Sequence, residues 1–166
     1  MATPREPFSA SPALDAAFRF TVTFAAMKRL TWWGTLLFLL GLLTGLMLAM
    51  MPSVADNPRG VLSGHVEGIL NGMFLMIVGL MADRVRLSTR ALAVCVGLLL
   101  YGTFVNWITT TTAGILGASQ AMPIAGAGHH AAPVVEQVVM VVSVTVGIAM
   151  ILAVGMLLLG LRRGDQ

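Results

Sequence analysis

Four long apolar runs, parted by short polar segments, restrict what this chain can fold into. They cover about residues 30–51, 60–82, 88–112 and 133–161. Each is long enough to cross a bilayer, which takes about 20 residues as a helix. Hydrocarbon offers no partner for a bare backbone, so a span must be a helix or part of a closed barrel. Hydrophobicity here is continuous rather than alternating, which excludes barrel strands. Only 10% of the 166 residues are charged, against about 25% in soluble domains. The chain is therefore read as an all-α integral membrane protein, a bundle of four transmembrane helices. Residues 28–166 form the membrane domain and residues 1–27 an N-terminal cytoplasmic extension.

The basic residues orient the spans. Arg5, Arg19, Lys28 and Arg29 precede the first run, Arg84, Arg86 and Arg90 lie between the second and third, and Arg162 and Arg163 follow the fourth. Only Arg59 falls on the other side. The excess of Lys and Arg on cytoplasmic loops places both termini in the cytoplasm, and such charges favour anionic lipid head groups. They explain the net charge of +3 without any nucleic-acid partner. The segment up to Met27 does not read as a signal peptide, because Glu6, Asp15 and prolines break any apolar core. Residues 14–24 read either as a short amphipathic surface helix or as disorder.

The second run carries the feature that packing does not require. Gly64-His65-Val66-Glu67-Gly68-Ile69-Leu70-Asn71-Gly72 puts an imidazole, a carboxylate and a carboxamide into two helical turns of a membrane span. An ionisable group in hydrocarbon is a functional-site candidate by default, since it costs about 2.5–3.5 kcal/mol at mid-helix. Gly68 and Gly72 share the face of His65 and present no side chain there. A large flat group resting on that face with His65 at its centre fits haem, for which histidine is the commonest proximal ligand. At about 3.6 residues per turn, Asn71 lies about 120° around the helix from His65 and Glu67 lies nearly opposite it. One helix therefore does not aim His65 and Asn71 into one pocket. A site between two copies, His65 from one and Asn71 from the next, would join them in a cyclic homo-oligomer.

Other polar residues gather at the same depth. Thr103, Asn106, Trp107 and Thr110 recur at helical spacing on the third span. Glu136 sits in the first turn of the fourth, where a carboxylate suits the helix dipole, and capping is the reading preferred to catalysis. Gly41 and Gly45 give the first span a small-xxx-small packing edge. Trp32 and Trp33 read as an interfacial belt, Cys95 as a small core residue. His129 and His130 lie in the last outer loop with no assigned role.

Three blocks carry a family resemblance. Asn57-Pro58-Arg59 with residues 62–75, Tyr101-Gly102-Thr103-Phe104-Val105-Asn106-Trp107, and residues 122–129 resemble the hydroxylaminobenzene mutases. The resemblance spans about residues 30–163. The His-x5-Asn-Gly core also resembles styrene oxide isomerase, a more distant relative with four helices, a trimeric assembly and a haem b. That resemblance implies a homotrimer with ferric haem b ligated by His65 and substrate contacted by Asn71. The isomerase's active-site tyrosine has no match in these blocks; Tyr101 is the nearest phenol. The mutase resemblance implies conversion of an arylhydroxylamine to an ortho-aminophenol by internal hydroxyl transfer. The iron would act as a Lewis acid on the N–O bond, as metals do elsewhere. Asn71 would orient the substrate, Glu67 or Asn106 would handle protons, and Trp107 would stack on the ring or pack the core. No electron is consumed, so no redox partner is required. The expected setting is the bacterial inner membrane.

Three rival readings stand beside this one. The first is an epoxide isomerase of the styrene oxide type. The second is a small proton-coupled transporter using Glu67. The third is a haem electron-transfer anchor, which would want a second axial histidine that no other span supplies.

Overall fold

The computed structural model describes residues 12–126 and 128–162. Four helices run antiparallel in sequence order: α1 Pro12–Met50, α2 Pro58–Leu80, α3 Thr89–Leu116 and α4 Pro133–Arg162. All four contain a stretch long and apolar enough to cross a membrane, Lys28–Met50 in the case of α1. No strand occurs among the described residues. The all-α architecture with four spans is thus as the sequence predicts.

Helix boundaries follow local chemistry. Pro52 cannot continue a helix and disfavours helical backbone before it, so α1 stops at Met50. Asn57 caps α2: its side chain accepts from the Arg59 and Gly60 amides, and Pro58 fills the first helical position, where its missing N–H costs nothing. Ser88 caps α3 through Ala91 N. Gly117 ends α3 at φ 70°, a left-handed conformation that favours glycine.

Two boundaries differ from expectation. Residues 12–27 are neither a separate surface helix nor irregular; they continue into the first span as one 39-residue helix. At 1.5 Å per residue this is about 58 Å, so α1 runs well beyond the hydrocarbon. Residues 1–11 lie outside the described region. Helix α3 also continues to Leu116, past the threonine run at 109–112 that reads in sequence as its end. The run is helical because the bundle takes it in. Thr110 is buried, and a Cβ added to Gly64 would run into the Thr111 hydroxyl. Thr111 Oγ1 is the one buried side-chain oxygen or nitrogen among the described residues without a hydrogen-bond partner. The neighbouring Gly64 Cα–H is a weak donor of the kind found at close helix crossings.

Packing is sequential: α1 on α2, α2 on α3, α3 on α4, with α1 also touching α3. One core cluster joins Leu30, Leu37, Leu75, Cys95, Leu99 and Ala153. A smaller one at the other end holds Ala113, Ala118 and Val139. Cys95 is free and buried, as a small core residue. Of the two tryptophans at the start of the first span, Trp32 is exposed, whereas Trp33 turns inward to meet Phe104 edge-on at 5.7 Å.

The glycines of α2 set the distances between helices. Gly68 and Gly72 lie against the α1 backbone at Gly41 and Phe38, while Gly60 and Gly64 lie against α3 at Gly114 and Thr111. Small residues at such crossings let backbones approach. The stripe therefore serves two partners, α3 near the start of α2 and α1 farther along. The α2 start is also tied across the bundle. Asn57, 1% exposed, donates from its backbone N to Gly114 O at 2.9 Å and from Nδ2 to Ala125 O at 2.9 Å.

Candidate active site

The polar residues of α2 divide between its two edges. On the edge facing α1, His65 Nδ1 lies 2.8 Å from Gly41 O. A carbonyl only accepts, so Nδ1 carries the proton and Nε2 keeps its lone pair. The imidazole can come this close because α1 has no side chain at Gly41 or Gly45; a Cβ at Gly45 would run into the ring. His65 is half-buried. Leu62 and Val66 on α2, and Leu42 and Leu46 on α1, are exposed and make the rim of this edge apolar.

On the edge facing α3, Asn106 Nδ2 donates to Glu67 Oε2 at 3.0 Å, and the Thr110 hydroxyl bonds the same carboxylate. Asn71, one turn along from Glu67, reaches Thr103 O with its Nδ2 at 3.4 Å. The carboxylate and both carboxamides thus share one seam between α2 and α3. As the angular argument predicts, His65 and Asn71 turn to different neighbours and share no hydrogen-bond partner. Trp107 faces α1, donating from Nε1 to Thr44 Oγ1 at 3.2 Å. Its ring abuts Gly68 and packs against the core, so the core-packing reading describes it.

Two sequence expectations change in the structure. The face that Gly68 and Gly72 share is not bare; α1 covers it, with Gly41 Cα only 2.6 Å from where a Cβ on Gly68 would sit. Those two glycines position α1 and through it the His65 carbonyl partner. Tyr101 stands apart from the α2 cluster, its hydroxyl 2.7 Å from Thr145 Oγ1 on α4. Glu136, 2% exposed, acts structurally but across the loop: it accepts from Ser119 N and Ala131 N at 3.0 Å and from Gln120 N at 2.9 Å. It fastens the loop between α3 and α4 rather than capping α4.

The sequence reading missed the roles of Thr44 and Asn57 and gave Gly45 only a packing edge. Asn57 had a usable signal, an Asn-Pro pair opening an apolar run. Thr44 had none and Gly45 only the small-xxx-small spacing, because their importance lies in which helix faces them. Among the described residues no group of three His, Cys, Asp or Glu could hold a metal ion. A haem needs less: one protein donor on one side of the iron. His65, with Nδ1 tied to a carbonyl and Nε2 free on an apolar rim, fits that donor role; such a second bond orients ligating histidines.

A family model described as styrene oxide isomerase matches residues 26–162. Hydroxylaminobenzene mutase HabB of Ectopseudomonas oleovorans is 43% identical over 136 residues, covering 81% of this chain and 80% of the relative. Hydroxylaminobenzene mutase HabA of the same organism is 37% identical over 131 residues, 78% of this chain and 94% of the relative. No solved structure matches. Four membrane-length helices, an imidazole and a carboxylate embedded in the second, and similarity along most of its length place this chain in the styrene oxide isomerase family, as an isomerase-type enzyme akin to the hydroxylaminobenzene mutases.

Proposed function

We propose that the protein converts arylhydroxylamines to ortho-aminophenols within the membrane by internal hydroxyl transfer. The observation that carries this reading is the 43% identity to a protein named hydroxylaminobenzene mutase. The seam between α2 and α3 supports it chemically. Moving a hydroxyl from nitrogen to the ortho carbon breaks N–O and forms C–O. The ortho carbon must then lose a proton, and the nitrogen must gain one. Glu67 is suited to take that proton on its carboxylate and return one to nitrogen, as positioned carboxylates do elsewhere. Asn106 holds one carboxylate oxygen and fixes its direction. Asn71, on the same seam, orients the substrate through its carboxamide. The sum is redox-neutral, so no redox partner is needed.

His65 is the residue proposed to hold a haem b through Nε2. When bound there, ferric iron supplies a Lewis acid that weakens the N–O bond. His65 and the seam of Glu67, Asn71 and Asn106 lie on opposite edges of α2, so we assign the site to the contact between copies of a homotrimer. One copy would give the imidazole and the next the polar seam. Both termini are placed in the cytoplasm, on the strength of the basic residues, with the membrane the bacterial inner membrane.

The family model's name favours a second reading, an epoxide isomerase. Opening an epoxide to a carbonyl by an internal hydride shift leaves no proton to carry, and Glu67 would then have no task. Purified protein assayed with both substrate classes separates the two. An absorption spectrum of wild type and His65→Ala tests the cofactor: a Soret band is expected in the first and not in the second. A colourless wild type that rearranges arylhydroxylamines at full rate overturns the haem assignment.

A further inference from the structure

A groove of about 240 Å³ runs between α2 and α4 at the end of the bundle where both helices finish, walled by Phe74, Ile77, Val154 and Leu158 among others. Its walls are apolar throughout, and Ile77, Val154 and Leu158 are exposed. Two further wall residues, Val85 and Leu161, stand at the groove's end, and each is next to an arginine. Arg84 and Arg86 flank Val85, and Arg162 follows Leu161. All three are exposed, and none is ion-paired among the described residues. Asp83, exposed in the same turn, offsets one of the three charges. The backbone of Arg86 is fixed to α4 by a 2.9 Å bond from its N to Gly160 O, so the two arginine-bearing segments are held together.

We propose that this groove is a binding site for one anionic phospholipid, an acyl chain lying along the apolar walls and the phosphate meeting Arg84, Arg86 and Arg162. An apolar channel ending at a turn and a helix end that carry three exposed arginines matches both halves of such a lipid. A second copy of the chain laid in the groove would have to bring acids to the same arginines. Basic pockets beside membrane spans hold anionic head groups by this charge complementarity.

The test is native mass spectrometry of the full-length protein, stripped in detergent and offered dioleoylphosphatidylglycerol or dioleoylphosphatidylcholine. Wild type is expected to retain about one phosphatidylglycerol per chain and to prefer it over phosphatidylcholine. With Asp83 offsetting one charge, the remaining two count for about fivefold each, so wild type should prefer phosphatidylglycerol by about 25-fold and replacing all three arginines with Gln should erase that preference. Val154→Trp, which fills the groove from a lipid-facing position, should abolish retention. Equal retention of both lipids by wild type overturns the proposal, and that comparison needs no variant. Undiminished retention in Val154→Trp also overturns it. So does a change of oligomeric mass in Val154→Trp, which would make the groove an interface between copies.

Discussion

Gly68→Ala tests whether the approach of α1 to α2 is what orients His65. A Cβ at Gly68 would sit 2.6 Å from Gly41 Cα and 2.9 Å from Trp107 Cδ1. The tryptophan ring can swing; the Gly41 backbone cannot without moving α1. Ordinary contact begins at 3.4 Å, so the helices must part by about 0.8 Å, typical of overpacking. The bond from His65 Nδ1 to Gly41 O spans the same gap. Stretched by that amount from 2.8 Å, it reaches about 3.6 Å and ceases to be a hydrogen bond. Overpacking costs about 1–3 kcal/mol and the lost bond about 0.5–1.5 kcal/mol. The better helix propensity of alanine returns up to about 1 kcal/mol. The net loss of about 1–3 kcal/mol corresponds to a melting temperature lower by roughly 2–10 °C. Thermal unfolding in detergent measures the first effect, and ¹⁵N NMR of the His65 ring the release of Nδ1. Gly97→Ala is the control: it makes the same chemical change with nothing within 4 Å of the new methyl, and should not lower the melting temperature. Gly68→Ala matching wild type in both melting and ring tautomer refutes the reasoning.

Glu67→Gln keeps an oxygen for Asn106 but removes the proton carrier. Turnover of an arylhydroxylamine should fall about 10²–10⁴-fold while melting stays near wild type; unchanged turnover counts against a proton role. Asn57→Ala removes a cap and leaves the Ala125 carbonyl without its donor, a loss of about 2–3 kcal/mol, read by thermal unfolding. Glu136→Ala strips the acceptor from the amides of Ser119, Gln120 and Ala131, which should exchange about tenfold faster or more; hydrogen exchange at those amides decides the point. Tyr101→Phe loses one exposed bond to Thr145, so turnover within about twofold of wild type is expected, and a collapse in turnover would return Tyr101 to the active site.

Much of the architecture was legible in the chain because a bilayer leaves few options. A run of about 20 apolar residues must hydrogen-bond within itself, so span number and type follow from composition alone. The polar residues of α2 were legible for the same reason: a carboxylate at residue 67 and an imidazole at residue 65 are too costly in lipid to be incidental. Their separation onto opposite edges followed from 3.6 residues per turn. Propensity failed at the end of α3, which the apolar run places at residue 112 and which continues to Leu116 against α2. Distance along the chain hid the partnership of Glu136 with Ser119 and Gln120.

What the sequence determined by itself is everything that depends on one helix at a time: where each span lies, which residues share its face, and that His65 and Asn71 point apart. What only the tertiary structure decided is who stands opposite. Glycine at 68 and 72 says that something large comes close, and a sequence cannot say whether that is a cofactor or another backbone. The fold supplies α1, because Gly41 on that helix matches Gly68 in depth and lack of side chain. A bare face is a statement about space, and only the packed neighbours say what fills it.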